Sequence, residues 1–342
     1  MKILITGGCG FVGSNIAIFL KKKLKNTVIS SLDNLSRTGS ELNKKRLKKY
    51  KIKNYNYDIE NPKKINSLPK FNLVIDCCAE PAIEASKKNP TRVFNTNLLG
   101  TFNILKKCLR DKSNIIFLSS SRVYSIKSLR NIIKKQSLKK PIKINKLIDE
   151  KFETSGESSL YGFTKLASEK LIKEMFYKEK LKYLINRFGV ISGPWQFGKQ
   201  DQGFVTLWIA RHMLKKRLSY IGFGGNGFQI RDVIHIDDVC EIIYLQLKKI
   251  NKIYNKTFNI GGGKKNVLSL KDLTLLSEKL TNKTIKFKTI SKTSIYDIPY
   301  FVTDNKKIQK FYKWSPRKNI DRILKDIFIW LRQNKMILKY FK

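Results

Sequence analysis

At 342 residues, 42% hydrophobic and 28% charged, the chain can bury a full core and is too apolar to be disordered. Its formal charge of +44 comes from lysines scattered through nearly every segment (Lys21 to Lys23, Lys44 and Lys45, Lys134 and Lys135); a nucleic-acid reader gathers arginine and aromatics on one element, so this spread predicts no nucleic-acid partner, only a surface that draws in anions such as dinucleotides and nucleotide sugars. Five scattered cysteines and two histidines show no metal-ligand spacing, which predicts no metal site and a reducing, cytoplasmic setting, while the absence of a signal-peptide start or a run of ~18 apolar residues predicts no membrane insertion.

Lys2 to Thr6, Thr27 to Leu32, Asn54 to Tyr57, Leu73 to Cys77 and Ile115 to Ser119 are short apolar runs of the kind that form buried parallel strands. Helical stretches such as Ser14 to Lys23 and Asn95 to Leu109 lie between them. This alternation predicts an α/β fold built on a Rossmann-type, doubly wound parallel sheet. Lys127 to Gly156 is polar and lysine-rich and reads as an irregular insertion. From Gly193 the chain turns to glycine, aromatics and glutamine, which predicts a smaller mixed α/β C-terminal region suited to binding. Ile320, Ile323, Leu324, Ile327, Phe328 and Leu331 form a helical stripe for core packing.

The first strand runs into Gly7-Gly8-Cys9-Gly10-Phe11-Val12-Gly13, where G-x-x-G-x-x-G and G-x-G-x-x-G can both be read. Either spacing permits a tight turn, close approach of a pyrophosphate to backbone N–H groups, and close packing of helix on strand. Asp33 follows Gly13 by twenty residues, at the end of the second strand, where a carboxylate takes adenine-ribose hydroxyls and repels a 2′-phosphate. NAD is therefore the expected cofactor, against the plain alternative of a structural turn.

Tyr161 and Lys165 are four residues apart, on one face of a helix. A tyrosine phenol titrates near pH ~10, and an ammonium beside it favours the phenolate, so such a pair can serve as a base. An ordinary solvated helix face has the same spacing. Upstream, Ser119, Ser120 and Ser121 are equally able to hydrogen-bond a substrate hydroxyl.

Together with Asp33-Asn34-Leu35, Asp58-Ile59, Asn97-Leu98-Leu99-Gly100-Thr101, Ser119 to Tyr124 and Arg231 to Asp238, these features resemble the extended short-chain dehydrogenase/reductases, specifically the nucleotide-sugar epimerases and dehydratases. The resemblance implies that Tyr161 is the catalytic base, that Lys165 also holds the nicotinamide ribose, and that Ser120 is the catalytic serine. It further implies an NAD site drawing on Gly7, Gly10, Phe11, Val12, Gly13, Asp33, Asn34, Arg37, Asp58, Ile59, Ala79, Asn97 and Ser119 besides Tyr161 and Lys165. The implied domains are an NAD-binding domain over 1–188, joined by about 229–262, and a substrate-binding region over 189–228 and 263–342. A homo-oligomer is implied as well.

Dehydratases of this group carry an Asp-Glu pair after the catalytic threonine. Here Ser121 and Arg122 follow Ser120, and arginine stays charged, so neither suits protonation of a leaving hydroxyl. Dehydration is therefore disfavoured and an epimerase expected, with Ser121 and Arg122 as candidate substrate contacts. The stretches Asn186 to Gly203 and Tyr220 to Asp232 resemble the pattern of CDP-paratose 2-epimerases. In them Gln196, Gln200, Gln202, Gly222, Gln229 and Arg231 are the candidate substrate residues, with Arg231 open to a structural role instead. Glu80 either touches substrate or caps the next helix. The expected reaction is C2 epimerisation of a CDP-deoxyhexose; the alternatives are a UDP-sugar C4 epimerase, a dehydratase, or a noncatalytic NAD- or polyanion-binding protein. Two departures from the family pattern are Ser125, where many members have glycine, and Ser294, three residues before Asp297, where members often have arginine.

Overall fold

The computed structural model of the chain describes residues 1–81, 88–199 and 202–341. The chain divides into two compact units, Met1–Val123 with Ser159–Arg187 and Val239–Phe258, and Tyr124–Ser158 with Phe188–Asp238 and Asn259–Lys342.

A seven-stranded sheet runs in the order Lys256–Ile260, Tyr183–Phe188, Asn114–Ser120, Leu73–Asp76, Lys2–Thr6, Val28–Leu32, Lys53–Tyr55. Lys2–Thr6 pairs in parallel with both Val28–Leu32 and Leu73–Asp76, and Leu73–Asp76 pairs in parallel with Asn114–Ser120. Ile3, Leu4, Ile5, Ile115, Ile116 and Phe117 are fully buried, as strands covered on both faces require. The order of winding reverses between Lys2–Thr6 and Leu73–Asp76. In a doubly wound sheet the carboxyl ends of such a strand pair open the ligand crevice, and here those ends lead into Gly7 and Cys77. The expected doubly wound α/β sheet is therefore present, with strand limits within two residues of those read from the sequence.

In the second unit, Ile230–His235 pairs antiparallel with Val267–Ser269 and parallel with Tyr300–Phe301 and Val190–Ser192. A separate pair, Leu218–Ile221 with Phe287–Ile290, is parallel, and Tyr220 stacks on Phe287 with ring centroids 4.7 Å apart. The C-terminal stripe is realised as helix Ile320–Gln333, which buries Ile323, Leu324, Ile327, Trp330 and Leu331.

The segment read as an irregular insertion is ordered at both ends. Ser125 accepts the Ser128 N–H at 3.3 Å and caps helix Ile126–Asn131, so the serine that departs from the family glycine does the work of an N-cap. Ile148 donates its N–H to the Val302 carbonyl at 2.8 Å and bridges Thr303. These bonds, and the ladder of Ile230–His235, draw 124–158 and 230–238 into the second unit.

Candidate active site

Gly7 lies at φ +58°, and a Cβ there would come within 3.0 Å of the Cys77 carbonyl oxygen and the Cys78 Cα. A Cβ on Gly13 would lie 2.3 Å from the Gly7 oxygen. Glycine at these two places lets the turn close: Gly10 donates to the Gly7 carbonyl at 2.9 Å, and helix Phe11–Lys23 starts with no side chain capping its N-terminus. Free N–H groups at a helix start, beside a turn without side chains, form a cradle that suits a pyrophosphate.

Asp33 closes the cradle from the second strand. Its Oδ2 accepts the Cys9 N–H at 3.0 Å and its Oδ1 the Leu35 N–H at 2.8 Å. Burial pushes this carboxyl above the usual carboxylate range, against the pull of backbone N–H groups from Leu35, Cys9 and Gly10. Burial, and then the Asp33 charge, push the Cys9 thiol up to about 12, which leaves it inert as a nucleophile. Asp58 is held in place, its Oδ2 accepting from Asn34 at 2.7 Å and its Oδ1 from the Glu60 N–H at 2.9 Å. Ile59 is buried, and Phe11, Val12 and Ala79 are half-buried. The donors and the shape of Gly7 to Gly13 and Asp33 fit a dinucleotide.

Asn97, fully buried in the π-helical turn Asn95–Leu99, spends its amide on Glu80: Oδ1 accepts the Glu80 N–H at 2.7 Å and Nδ2 donates to the Glu80 carbonyl at 3.1 Å. The Glu80 carboxylate pairs with Arg37 at 2.7 Å. The turn that follows Asp33 is thereby tied to the end of Leu73–Asp76. Residues 82–87, where a helix capped by Glu80 would continue, lie outside the described residues.

Ser159 caps helix Leu160–Lys178 by accepting the Gly162 N–H at 3.2 Å, placing Tyr161 in its first turn at 9% exposure. Lys165 is 2% exposed. Its ammonium donates to the Leu118 carbonyl at 3.0 Å and lies 4.5 Å from the centre of the Phe117 ring. The helix packs on strand Asn114–Ser120 and on the 3₁₀ turn Ser121–Val123, so the elements that carry Tyr161, Lys165 and Ser120 come together. Ser120 is half-buried and its Oγ accepts the Arg122 N–H at 3.1 Å, which leaves its hydroxyl proton for another acceptor. Ser119 differs from its neighbour: its hydroxyl is buried and donates to Glu169 at 2.6 Å. The three serines are chemically alike in the sequence, and burial sets Ser119 apart from Ser120 and Ser121. Ser121 and Arg122 are half-buried in the 3₁₀ turn.

The candidates of the second unit are more occupied with their own loops. The Gln196 Oε1 accepts from Ser192 at 3.0 Å and Thr206 at 2.9 Å, and its Nε2 donates to the Ile191 carbonyl at 3.1 Å. Gln202 exchanges backbone bonds with Lys199, while Gln200 lies outside the described residues. Gly222, at φ +76°, donates to the Ile290 carbonyl at 2.8 Å. Gln229 donates to the Ile221 carbonyl at 3.2 Å, and its Oε1 is buried with no hydrogen-bond partner among the described residues. Arg231 donates to the carbonyls of Ile230 and Ile298 and stands 3.5 Å from the Asp297 carboxylate, the structural role left open by the sequence. Arg130, which the sequence did not single out, donates to the carbonyls of Ser294, Ile295 and Asp297, so it brings a guanidinium to the segment where Ser294 replaces the family arginine. The two residues are 164 apart in the chain, and no local signal links them.

One group of possible metal ligands is found among the described residues, His235 with Asp237 and Asp326. The Lys318 ammonium lies 2.6 Å from Asp237 and 2.8 Å from Asp326 and supplies the positive charge there.

The family model described as the NAD dependent epimerase/dehydratase family matches residues 3–261. Among curated proteins, the CDP-paratose 2-epimerase of Salmonella typhi is 29% identical over 96% of this chain and 99% of its own length. The UDP-glucose 4-epimerase of Erwinia amylovora is 26% identical over 98% of each. Among solved structures, a Thermotoga maritima UDP-glucose 4-epimerase with UDP-glucose aligns over 98% of this chain and 100% of its own, with a TM-score of 0.81 at 23% identity. A Bacillus cereus UDP-glucuronic acid 4-epimerase, in complex with UDP-glucuronic acid and NAD, gives 0.80 at 23% identity over 97% and 99%. With the glycine cradle, Asp33 and the Tyr161 helix on one sheet, and a family match over most of the length, this chain belongs to the NAD-dependent epimerase/dehydratase family, with NAD as its cofactor.

Proposed function

We propose that the chain epimerises C2 of a CDP-activated deoxyhexose, converting CDP-paratose to CDP-tyvelose through a 2-keto sugar. The observation that carries this reading is the 29% identity to a CDP-paratose 2-epimerase along almost the whole of both chains. Ser121 and Arg122 in place of an acid pair support epimerisation over elimination of water.

Tyr161 takes the proton of the C2 hydroxyl. Ser120, whose oxygen already accepts the Arg122 N–H, donates its own proton to the substrate oxygen and steadies the charge that develops there. Lys165 keeps a fixed positive charge one helical turn from Tyr161, anchored on the Leu118 carbonyl. NAD, which the Gly7 to Gly13 turn and Asp33 would hold, would supply a reversible hydride acceptor for the sugar carbon and would be regenerated in each turnover. On return Tyr161 gives the proton back.

Leu99, Phe102 and Phe163 are exposed at 44%, 38% and 52%, apolar surface on the first unit that supports a homo-oligomer. No helix among the described residues is long and apolar enough to cross a membrane. All five cysteines are free, which supports a reducing, cytoplasmic setting. The second reading, a UDP-sugar C4 epimerase, is supported by the full-length match to such an enzyme.

The test is incubation of the purified protein with CDP-paratose, and separately with UDP-glucose, without added NAD, following sugar stereochemistry by NMR. Inversion at C2 of CDP-paratose, lost in Tyr161→Phe, is the expected result. Inversion at C4 of UDP-glucose alone would replace the first reading by the second, and net NADH formation would replace both by a dehydrogenase.

A further inference from the structure

Leu118 and Ser119, the two residues before Ser120, are each tied to helix Leu160–Lys178. The Lys165 ammonium takes the Leu118 carbonyl at 3.0 Å, and one turn further along the same helix face the Glu169 Oε1 takes the Ser119 hydroxyl at 2.6 Å. Glu169 is in turn gripped by Arg187 from the neighbouring strand Tyr183–Phe188, Nε to Oε1 at 2.9 Å and Nη2 to Oε2 at 2.7 Å. Glu169 is fully buried and Arg187 nearly so.

A buried ion pair of this kind is a poor source of stability, because desolvation of both charges cancels most of their attraction. A paired, bidentate carboxylate is, however, a rigid acceptor whose place and orientation are set. Here that acceptor stands directly beneath the Tyr161–Lys165 face and holds the residue adjoining Ser120. A catalytic hydroxyl must keep its position to within a fraction of an ångström, and small displacements cost large factors in rate.

We propose that Glu169, charge-balanced by Arg187, is a positioning residue for the reaction: through Ser119 it fixes the strand end that carries Ser120 against the helix that carries Tyr161 and Lys165. The assignment rests on the epimerase reading. It explains why Ser119 and Ser120, alike in sequence, are held so differently, and it gives Ser119 a role through its hydroxyl that is distinct from contact with the cofactor.

Ser119→Ala is the informative variant, since it cuts the tie and leaves the ion pair intact. With the NAD-loaded protein, kcat and KM are measured on the nucleotide sugar that the parent turns over, alongside amide hydrogen exchange. Loss of one charge-assisted hydrogen bond is expected to lower kcat about tenfold and to speed exchange at 118–122 by a similar factor, with KM within about twofold and exchange in helix Phe11–Lys23 unchanged. Ser119→Thr, which returns a hydroxyl to Glu169, is expected to recover the rate and the slow exchange. Faster exchange with an unmoved kcat would make the contact merely structural and overturn the proposal, as would no change in either. A parent that turns over no nucleotide sugar would instead overturn the epimerase reading, and the positioning role with it.

Discussion

Asp33 ties two backbone groups with one carboxylate. Its oxygens already accept N–H groups from Cys9 and Leu35, at 3.0 and 2.8 Å, so the side chain closes the glycine turn before any ligand arrives. The remaining lone pairs and the negative charge are what a ribose diol needs. Asp33→Asn keeps the shape but turns one acceptor into a donor, which must face either the Cys9 or the Leu35 N–H. Leaving a buried group unsatisfied in this way costs about 1–3 kcal/mol. The expected outcome is a lower melting temperature together with purified protein that carries well under one NAD per chain, checked by a thermal melt and by nucleotide released on denaturation. Full NAD occupancy in the variant would remove Asp33 from the ribose site. The glycine turn and the helical face that carries Tyr161 and Lys165 are legible in the sequence, because their constraints are short-range: a turn that admits no Cβ, and a spacing of one helical turn. Gln196 is not. Its amide serves Ser192, Thr206 and Ile191, and a glutamine folded back on its own loop has the same sequence as one facing a ligand.

Strand Ile230–His235, the start of helix Ile236–Lys249 and helix Ile320–Gln333 meet at a charged cluster, and their junction is sensitive to acid. His235 accepts the Asp237 N–H through Nδ1 at 3.0 Å, which puts the proton of the neutral ring on Nε2, 3.5 Å from the Asp326 carboxylate. Asp237 and Asp326 favour a charged ring, and Lys318 and Arg322 oppose it. Burial outweighs the carboxylates and lowers the imidazole to about 4. Asp326 is raised by burial but lowered further by Lys318 and Arg322, so it lies below the usual carboxylate range. An unfolded histidine binds its proton near pH ~6.5, whereas the folded one resists until about 4. The unfolded state therefore holds more protons in that window, and stability falls as pH drops through it, by on the order of 3 kcal/mol at most. Below it, the contribution of Asp326 is lost in turn. Unfolding by urea at pH 7 and pH 5 is expected to show the loss, and His235→Gln, which cannot titrate, to flatten it between those values. An equal slope in the two proteins would place the acid sensitivity elsewhere. None of this was visible in the sequence, where His235 and Asp326 are far apart. The helical stripe of Ile320 to Leu331 was visible, because a period of 3.6 is written locally.

Across the whole molecule, 70 basic side chains oppose 26 acidic ones. Ion pairing leaves the net charge of +44 unchanged, and several of the pairs lie on exposed positions such as Lys112 with Glu179 and Lys178 with Glu174, where each contributes little. The folded chain therefore carries a self-repulsion that the expanded chain relieves. Salt shortens the reach of like-charge repulsion, with a screening length near ~30 Å at 0.01 M falling to about 10 Å at 0.1 M. Melting temperature is thus expected to rise with NaCl over this range, the reverse of what a protein held together by surface ion pairs would do. The same field is expected to bind polyanions without reading them, and that binding to weaken steeply with salt, because the free energy gained by releasing counterions shrinks as salt rises. If the glycine cradle and Asp33 hold NAD, its binding depends on shape and on buried hydrogen bonds, so it should remain when the polyanions leave. Washing the immobilised protein through a salt gradient, with nucleic acid and NAD measured in the same fractions, separates the two. Nucleic acid released by moderate salt while NAD stays bound is the expected pattern. Retention of one nucleic-acid sequence at high salt would instead mean that the lysine excess carries a specific function.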